Sequence, residues 1–204
     1  MSGDRLAVVF DLGGVLVDWD PRHLYRQLIE DEAEMEWFLA EVCTLEWHRH
    51  HDIGRPLAEG VAELVALHPE HRDLIQAWEQ RFAEMFVGDR PDTVAVLADV
   101  VALGDPVYAL TNWSSDGWPA AIDRFEFLAW FDDIVVSGLE HVAKPDRAIY
   151  DLLVERNGLD RERTVFIDDW DRNVEGARAA GLRALQFTSA ARLRTDLQAL
   201  GLPI

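Results

Sequence analysis

The segment LAVVFDLGG, residues 6–14, decides the fold class of this chain. Leu6 to Phe10 form a continuous apolar run, which is typical of a strand buried on both faces in a parallel α/β sheet. Asp11 follows directly, and ligands in such sheets bind just beyond the carboxyl ends of the strands. Gly13 and Gly14 allow backbone amides to approach an anion. The segment predicts that Asp11 is a nucleophile or a metal ligand, with a turn-forming or helix-capping Asp as the alternative.

Two further apolar runs, 107–110 (VYAL) and 164–167 (TVFI), each lead directly into polar residues. These polar residues are Thr111 and Asn112 after the first run, and Asp168 and Asp169 after the second. Between the two runs, Lys144 precedes a proline and a helical segment. The chain thus offers, in order, a carboxylate, a hydroxyl, a lysine and a carboxylate pair. We expect these groups to converge at one edge of the sheet.

Strands and helices alternate after residue 89, as expected for a parallel sheet covered by helices. The chain is therefore predicted to be an α/β protein. The predicted elements of this part are a helix starting near Pro91, a strand at 107–110, a helix at 118–130, a strand at 134–136, a helix at 148–156, a strand at 164–167, a helix at 174–180, a strand at 184–187 and a helix at 191–200.

Residues 19–88 have helical spacing of apolar side chains throughout and no strand pattern. Four amphipathic helices inserted after the first strand could bury their apolar stripes against one another. We therefore predict a core made of residues 1–18 and 89–204 and a helical cap made of residues 19–88. The cap could close over the site and exclude water, or it could only thicken the fold.

Composition narrows the possible partners and location. The net charge of −19 argues against a nucleic-acid partner, whose phosphates the surface would repel. No apolar run approaches membrane-spanning length, and we expect no signal peptide because only five residues precede the first strand. The single cysteine, Cys43, is predicted to be a small core residue of a cytoplasmic protein.

Taken together, the four motifs resemble those of the haloacid dehalogenase superfamily, in the same order. FDLGGVLVDWD (residues 10–20) and FIDDWDRNVEGARAAGL (residues 166–182) are most similar to small bacterial sugar-phosphate phosphatases with a four-helix cap. WHRHHDIG (residues 47–54) resembles the cap of glucose-1-phosphatase-type members. The resemblance implies a Rossmann-like parallel core, an inserted helical cap and phosphatase activity on small phosphorylated metabolites, with sugar phosphates first.

The resemblance also implies roles for individual residues. Asp11 would attack phosphorus and form an aspartyl-phosphate that water hydrolyses. Lys144 would supply positive charge to Asp11 and the phosphate. The Thr111 hydroxyl and the backbone N–H of Asn112 would bind a phosphate oxygen, next to Gly14.

Mg²⁺ is the cofactor that the resemblance implies. Asp11, the Gly13 carbonyl and Asp169 would hold the ion, and Asp168 would hold a metal-bound water. Which member of the pair 168/169 binds the metal directly is left open. The alternative for this pair is a helix N-cap beside a surface acid.

One position departs from the family pattern. Most phosphatases of the superfamily carry a second Asp two residues after the nucleophile, which protonates the leaving group, and here that position is Gly13. General acid–base catalysis is typically worth ~10²–10⁴-fold. Asp18, His48 and His51 are the candidate replacements, and the histidines could instead lie at a solvated helix end. A sugar oxygen at C1 leaves readily, which suits a site without that acid.

Three tryptophans, Trp19, Trp113 and Trp170, each fall just beyond a motif and could meet at the mouth between core and cap. They could pack where the cap docks, or Trp113 and its neighbours could form a stacking wall for a sugar ring. We place Trp113 and His48 among the candidate substrate-binding residues.

Two alternatives to a phosphatase remain at this point. A metal-free 2-haloacid dehalogenase would use the same Asp11, with Arg49 or Arg55 near the halide, but the Asp168–Asp169 pair would then be uncompensated. A non-catalytic member would only bind phosphorylated ligands or a partner protein. We predict a Mg²⁺-dependent phosphatase, a monomer or homodimer, with a small phosphorylated substrate that the sequence does not name.

Overall fold

A computed structural model describes residues 6–204, so the first five residues of the predicted core lie outside it. The strands are β1 Ala7–Phe10, β2 Val17–Trp19, β3 Phe86–Asp89, β4 Val107–Thr111, β5 Asp133–Val136, β6 Thr164–Asp168 and β7 Arg183–Gln186. Five of them form one parallel sheet in the order β5-β4-β1-β6-β7, and β2 and β3 form a separate antiparallel ribbon.

Eleven α-helices lie within residues 6–204. They are α1 Arg22–Tyr25, α2 Glu32–Glu41, α3 Leu45–Arg49, α4 Leu57–Leu67, α5 Arg72–Gln80, α6 Pro91–Ala102, α7 Trp118–Arg124, α8 Ser137–Glu140, α9 Arg147–Asn157, α10 Asp171–Ala179 and α11 Ala190–Ala199. Short 3-10 helices occur at His51–Ile53, Pro69–His71, Phe82–Met85, Glu126–Trp130 and Arg161–Arg163. The predicted α/β class with a parallel core is confirmed.

The central strand β1 is buried on both faces, as its apolar run predicts. Val8 and Phe10 face one hydrophobic cluster, which also contains apolar residues of α6 and α11. Val9 faces a second cluster, built with residues of α9 and α10. Alternate side chains of a strand point to opposite faces, so a strand covered on both sides must be apolar at every position.

The sheet order brings three motifs together. β1 lies between β4 and β6, and Phe10 is in register with Ala109 on one side and Ile167 on the other. Because all three strands are parallel, their carboxyl ends share one edge of the sheet. Asp11, which follows β1, therefore lies between the ends of β4 and β6.

Residues between β2 and β3 form α1 to α5 and three 3-10 helices. Tyr25, Phe38 and Trp78 are buried at the centre of these helices, with ring centroids of Tyr25 5.1 Å from Phe38 and 6.0 Å from Trp78. Cys43 is buried nearby, as predicted. The same hydrophobic cluster continues onto one face of the sheet, so the inserted helices pack directly on the core.

The prediction that residues 19–88 contain no strand is wrong at both ends. Trp19 ends β2 and pairs with Phe86, which starts β3. These strands are three and four residues long, and β3 contains Gly88, so no alternating pattern is long enough to be recognised. The ribbon lies across both predicted domain boundaries, which themselves remain a prediction.

The predicted helix 118–130 is also wrong as one element. α7 ends at Arg124, and Phe125 has extended backbone before a 3-10 helix begins. Phe125 is buried against Phe86 and Phe127, with centroid distances of 5.8 and 5.6 Å. Burial of this ring overrides the helical pattern. Over residues 6–204, no helix is both long enough and apolar enough to cross a membrane.

Candidate functional site

A cavity of about 300 Å³ lies between the carboxyl edge of the sheet and the inserted helices. Its core side is lined by residues that follow the strands, including Asp11, Asn112, Trp113 and Asp169, together with Lys144. The inserted helices contribute mostly aromatic, apolar and cationic side chains: Arg22, Leu45, His48, Arg49, Asp52 and Phe82. Core and insertion thus share one cavity.

Lys144 connects two carboxylates at the floor of this site. Its Nζ lies 2.8 Å from Asp11 Oδ1 and 2.7 Å from Asp168 Oδ2, and all three residues are buried. Burial opposes the charge of the lysine, but the attraction of the two carboxylates outweighs it, so the pKa of Lys144 is raised. Lys144 is therefore a cation held against Asp11.

Asp168 is fully buried and its two oxygens are engaged. Oδ1 accepts hydrogen bonds from the Trp170 backbone N–H at 2.8 Å and from Asn173 Nδ2 at 3.0 Å. Oδ2 accepts from Lys144. These bonds fix the carboxylate, and through it the position of the ammonium group.

The backbone of Lys144 is fixed by Asn112. Asn112 Nδ2 donates to the Lys144 carbonyl at 3.0 Å, and the Lys144 N–H donates to Asn112 Oδ1 at 2.9 Å. The predicted contribution of Asn112 to phosphate binding came from its backbone N–H, so the side chain has a second, positioning task.

The neighbouring Thr111 Oγ1 is buried and has no hydrogen-bond partner among residues 6–204. A buried hydroxyl without a partner is costly, but Thr111 is not among the residues that line the cavity.

Gly14 allows Asp169 to approach the first motif. It has φ of +78°, and a Cβ added there would lie 2.2 Å from Asp169 Oδ2. Gly13 differs, because a Cβ at that position would meet no atom of the described chain within 4 Å. Gly14 is thus required by the close approach of Asp169, whereas Gly13 leaves open space where related phosphatases carry an Asp.

The acidic residues fit a divalent cation. Asp11, Asp168 and Asp169 each offer an oxygen within 4.8 Å of the others. Asp169 Oδ1 is buried without a hydrogen-bond partner in the described part of the chain. Burial and the charge of Asp168 raise the pKa of Asp169 to about 6. Hard oxygen ligands of this kind, one of them unsatisfied, suit Mg²⁺.

The three proposed replacements for the missing acid differ in position. His48 lines the cavity and stacks on Trp19, with ring centroids 5.6 Å apart. His51 does not line it, and its Nδ1 lies 3.0 Å from the Arg55 carbonyl. Asp18 lies outside the cavity, with a half-exposed side chain near His23.

The predicted meeting of Trp19, Trp113 and Trp170 takes place, since all three line the cavity. Trp113 is buried and packs on Phe86 and Trp118, at centroid distances of 5.7 and 5.9 Å. This agrees with the packing interpretation.

Trp170 is different, because 45% of its surface is exposed. Arg49 and Arg172 lie over its ring, at 5.9 and 5.2 Å from the centroid. The mouth of the cavity therefore combines an open aromatic surface with positive charge. Arg55, the other arginine considered for a halide pocket, is not a lining residue and pairs with Glu63 at 2.7 Å.

Several contributing residues were missed by the sequence reasoning. Asn173 fixes Asp168, and Asp52 lines the cavity from the insertion. Asp116 accepts a hydrogen bond from the Leu57 N–H at 2.7 Å and so ties α4 to the core. Asn173 follows a motif closely and could have been found there. Asp52 lies in the 3-10 helix His51–Ile53, within the segment WHRHHDIG, of which only the histidines were considered. Asp116 lies in a turn without a distinguishing pattern.

The sequence of this chain also matches a known protein family. The sequence profile of haloacid dehalogenase-like hydrolases matches residues 6–181, which include every motif of the site. The chain belongs to this family. It is therefore a hydrolase of the haloacid dehalogenase superfamily, as the motif order predicted, and its core has the family's Rossmann-like fold.

Two relatives of known activity span nearly the whole chain. A sesquiterpene phosphatase from Aspergillus oryzae is 22% identical, over 95% of this chain and 95% of the relative. A phosphorylated carbohydrates phosphatase from Thermotoga maritima is 27% identical, over 88% of this chain and 83% of the relative.

Solved structures share the fold. A family enzyme from Bacteroides thetaiotaomicron, crystallised as its magnesium complex, superposes with a TM-score of 0.71 at 19% identity, over 91% of this chain and 94% of that one. L-2-haloacid dehalogenase from Xanthobacter autotrophicus superposes with a TM-score of 0.64 at 19% identity, over 96% and 83%. Since phosphatases and dehalogenases share this fold, the site must distinguish them.

Proposed function

We propose that this protein is a Mg²⁺-dependent phosphatase of small phosphomonoesters that works through an aspartyl-phosphate on Asp11. The observation that carries the proposal is the group of Asp11, Lys144 and Asp169, in which a lysine and an unsatisfied carboxylate oxygen face the same nucleophile. The two phosphatases described above, from Aspergillus oryzae and Thermotoga maritima, support it.

Asp11 would attack phosphorus in line with the leaving oxygen. A carboxylate needs no deprotonation at neutral pH once cations compensate its neighbours. Lys144 provides one such charge at 2.8 Å. It would stabilise Asp11 in its ionised form and neutralise charge on the transferring phosphoryl group.

Asp11, Asp169 and the Gly13 carbonyl would hold Mg²⁺, and the bound ion would neutralise phosphate oxygens and align the phosphoryl group with Asp11. Asp168, whose oxygens accept hydrogen bonds from Lys144, Asn173 and the Trp170 backbone, would orient Lys144. The unpartnered Thr111 hydroxyl and the Asn112 backbone N–H would bind the remaining phosphate oxygens.

Sugar phosphates are the first substrate candidates. The cavity of about 300 Å³ is at the lower end of the usual size for ligand sites. The exposed ring of Trp170, next to Arg49 and Arg172, offers a stacking surface for a sugar together with charge for its phosphate. The carbohydrate phosphatase of Thermotoga maritima supports this class.

Phosphates of apolar alcohols are the second candidates. Trp19, Leu45, Phe82 and Trp113 make a large part of the lining apolar, which favours an apolar organic group. The sesquiterpene phosphatase from Aspergillus oryzae supports this class. A farnesyl phosphate and a hexose phosphate compared at equal concentration would separate the two.

A phosphate-release screen tests the proposed function. It covers sugar phosphates, apolar alkyl phosphates, nucleotides and 2-haloacids, with Mg²⁺ and with EDTA, for the wild-type protein and Asp11→Asn. We expect phosphate release that needs both Mg²⁺ and Asp11. Halide release that EDTA does not affect would instead identify a dehalogenase, and no product from any compound would reject catalysis. Cytoplasmic location and a monomeric or dimeric state remain predictions.

A further inference from the structure

The proposed phosphatase lacks a proton donor at the position where most phosphatases of the superfamily carry one. Gly13 has no side chain, and aliphatic alkoxides leave slowly unless they are protonated as the P–O bond breaks. A group that replaces this acid has to lie in the same cavity as Asp11, hold a proton near neutral pH, and have an oxygen or nitrogen free to reach the leaving group.

Asp52 meets the geometric conditions. It lies in the 3-10 helix His51–Ile53 of the insertion and lines the cavity that also contains Asp11 and Lys144. The residue is 7% exposed, and its Oδ1 has no hydrogen-bond partner among residues 6–204. His48 Nε2 lies 3.6 Å from this oxygen, which is too long for a hydrogen bond. A buried carboxyl oxygen without a hydrogen-bond partner is costly, which favours a further contact at Asp52 when a ligand enters the cavity.

We propose that Asp52, which lies in the insertion, is the general acid of this enzyme. It would replace the Asp that is absent at the position of Gly13. The inference rests on the proposed phosphatase function and assigns a role that neither the motifs nor the family pattern predicts. A proton donor on the insertion would couple proton transfer to closure of the insertion over the substrate.

The electrostatic surroundings favour this role. Burial raises the pKa of Asp52 to about 7, against the opposing attraction of Lys144 and Arg49. Ionisable groups on the elements that pack against this 3-10 helix include His48 on α3, 3.6 Å from Asp52, Glu140 on α8, and His141 directly after α8. A carboxyl with a pKa near neutrality carries a proton in a large share of molecules and gives it up readily.

The earlier candidates are less suitable. Burial and the charge of His51 lower the pKa of His48 to about 3, so its ring is neutral and a poor proton donor. His51 and Asp18 do not line the cavity. His48 has a different task here, because its ring packs between Trp19 and Trp78 and fixes the wall beside Asp52.

Over one turnover, Asp52 loses one proton and regains one. An Asp11 oxygen bonds to phosphorus while the bond from phosphorus to the ester oxygen breaks, and that oxygen takes the proton of Asp52 and leaves as an alcohol. The Asp52 carboxylate then accepts a proton from the water that attacks the aspartyl-phosphate at phosphorus. Phosphate leaves, and both Asp11 and the protonated Asp52 are restored.

The test compares two esters of similar size, 4-nitrophenyl phosphate and 4-nitrobenzyl phosphate, in the wild-type enzyme with Mg²⁺ and in Asp52→Asn. The aryl oxide leaves without help, whereas the benzyl alkoxide needs a proton. Because kcat/KM reports the steps through phosphoryl transfer, we expect Asp52→Asn to lower it by ~10²–10⁴-fold for the benzyl ester and by less than about tenfold for the aryl ester. Asp18→Asn, the same change outside the cavity, should lower neither.

Equal losses on both esters, or no loss on either, would overturn the role of Asp52 while leaving the phosphatase intact. A wild-type enzyme that releases phosphate from neither ester, nor from any compound of the screen above, would overturn the proposed function and this role with it. If Asp52→Asn fails to fold, the wild-type pH profile decides. With Asp52 as the acid, kcat/KM for the benzyl ester falls as pH rises through about 7 and that for the aryl ester does not, and parallel profiles would overturn the role.

Discussion

Lys144 shows how a single residue holds the site together. Its ammonium group lies within 2.8 Å of both Asp11 and Asp168, and the three groups are buried. Breaking a buried ion pair by removing one partner costs about 3–5 kcal/mol, because the remaining charge is left uncompensated. We expect Lys144→Met to lower the free energy of unfolding by a large part of that amount and to abolish phosphate release. Urea denaturation at neutral pH measures the first effect, and unchanged stability would contradict the arrangement.

Gly14 tests the approach of Asp169. An alanine there would place Cβ 2.2 Å from the carboxylate, so Asp169 has to move. We expect Gly14→Ala to raise the Mg²⁺ concentration needed for half-maximal activity by tenfold or more. Gly158→Ala is the matched control, because Gly158 also has positive φ but no neighbour within 4 Å. It should lose ~1–2 kcal/mol of stability and keep the Mg²⁺ dependence. The same Mg²⁺ dependence in both variants would contradict this account.

Gly13 has open space beside it. A Cβ added there meets no described atom within 4 Å, and the position is the one at which most phosphatases of the superfamily carry their acid. We expect Gly13→Asp, added to Asp52→Asn, to recover at least tenfold of the lost kcat/KM for the benzyl ester. Steady-state kinetics of the single and double variants measure this recovery. Identical kinetics in the two variants would contradict the idea that a proton donor is what is missing.

Asp52 also affects stability through its protonation. Its pKa is about 7 in the folded protein, against 3.8 for the ordinary group, so the folded state binds more protons between these values. The wild type should lose stability relative to Asp52→Asn as pH rises from about 4 to about 7. Melting temperatures of the two proteins at pH 5 and pH 8 check this. A constant difference would show that the carboxyl titrates normally.

Strands and helices position these residues, and only some of these positions could be predicted from the sequence. Asp11, Thr111 and Asp168 could be predicted to meet because each ends an apolar strand of one parallel sheet. The β2–β3 ribbon could not, since its strands are very short and pair across more than sixty residues of intervening chain. Asp52 could not be assigned to the site either, because its role depends on which part of the insertion faces the core.

Docking of the insertion depends partly on Asp116, whose Oδ2 accepts from the Leu57 N–H at the start of α4. Pro56, at the cap position of that helix, makes no side-chain cap bond. We expect Asp116→Ala to lower the free energy of unfolding by ~1–2 kcal/mol and to raise KM, because the link between α4 and the core is lost. Asp31→Ala removes the cap of α2 within the insertion and should lower stability alone. Equal KM values in both variants would show that this link does not affect substrate binding.

In the molecule as a whole, a strongly acidic chain surrounds a site that is proposed to bind a phosphate ester. The chain carries a net charge of −19, yet Lys144, Arg49 and Arg172 line the cavity. These cations, with a bound Mg²⁺, would set the local field against the overall charge. The fold is shared by phosphatases and dehalogenases, so the acidic residues at the carboxyl edge of the sheet, and not the architecture, carry the functional assignment.

The most direct test of the central claim is the mass of the peptide that contains Asp11, isolated after acid quenching of enzyme turning over a phosphomonoester with Mg²⁺. The account predicts a phosphoryl group on Asp11 that is absent when Mg²⁺ is removed, and no phosphate release by Asp11→Asn. Phosphate release by Asp11→Asn at the wild-type rate would contradict it.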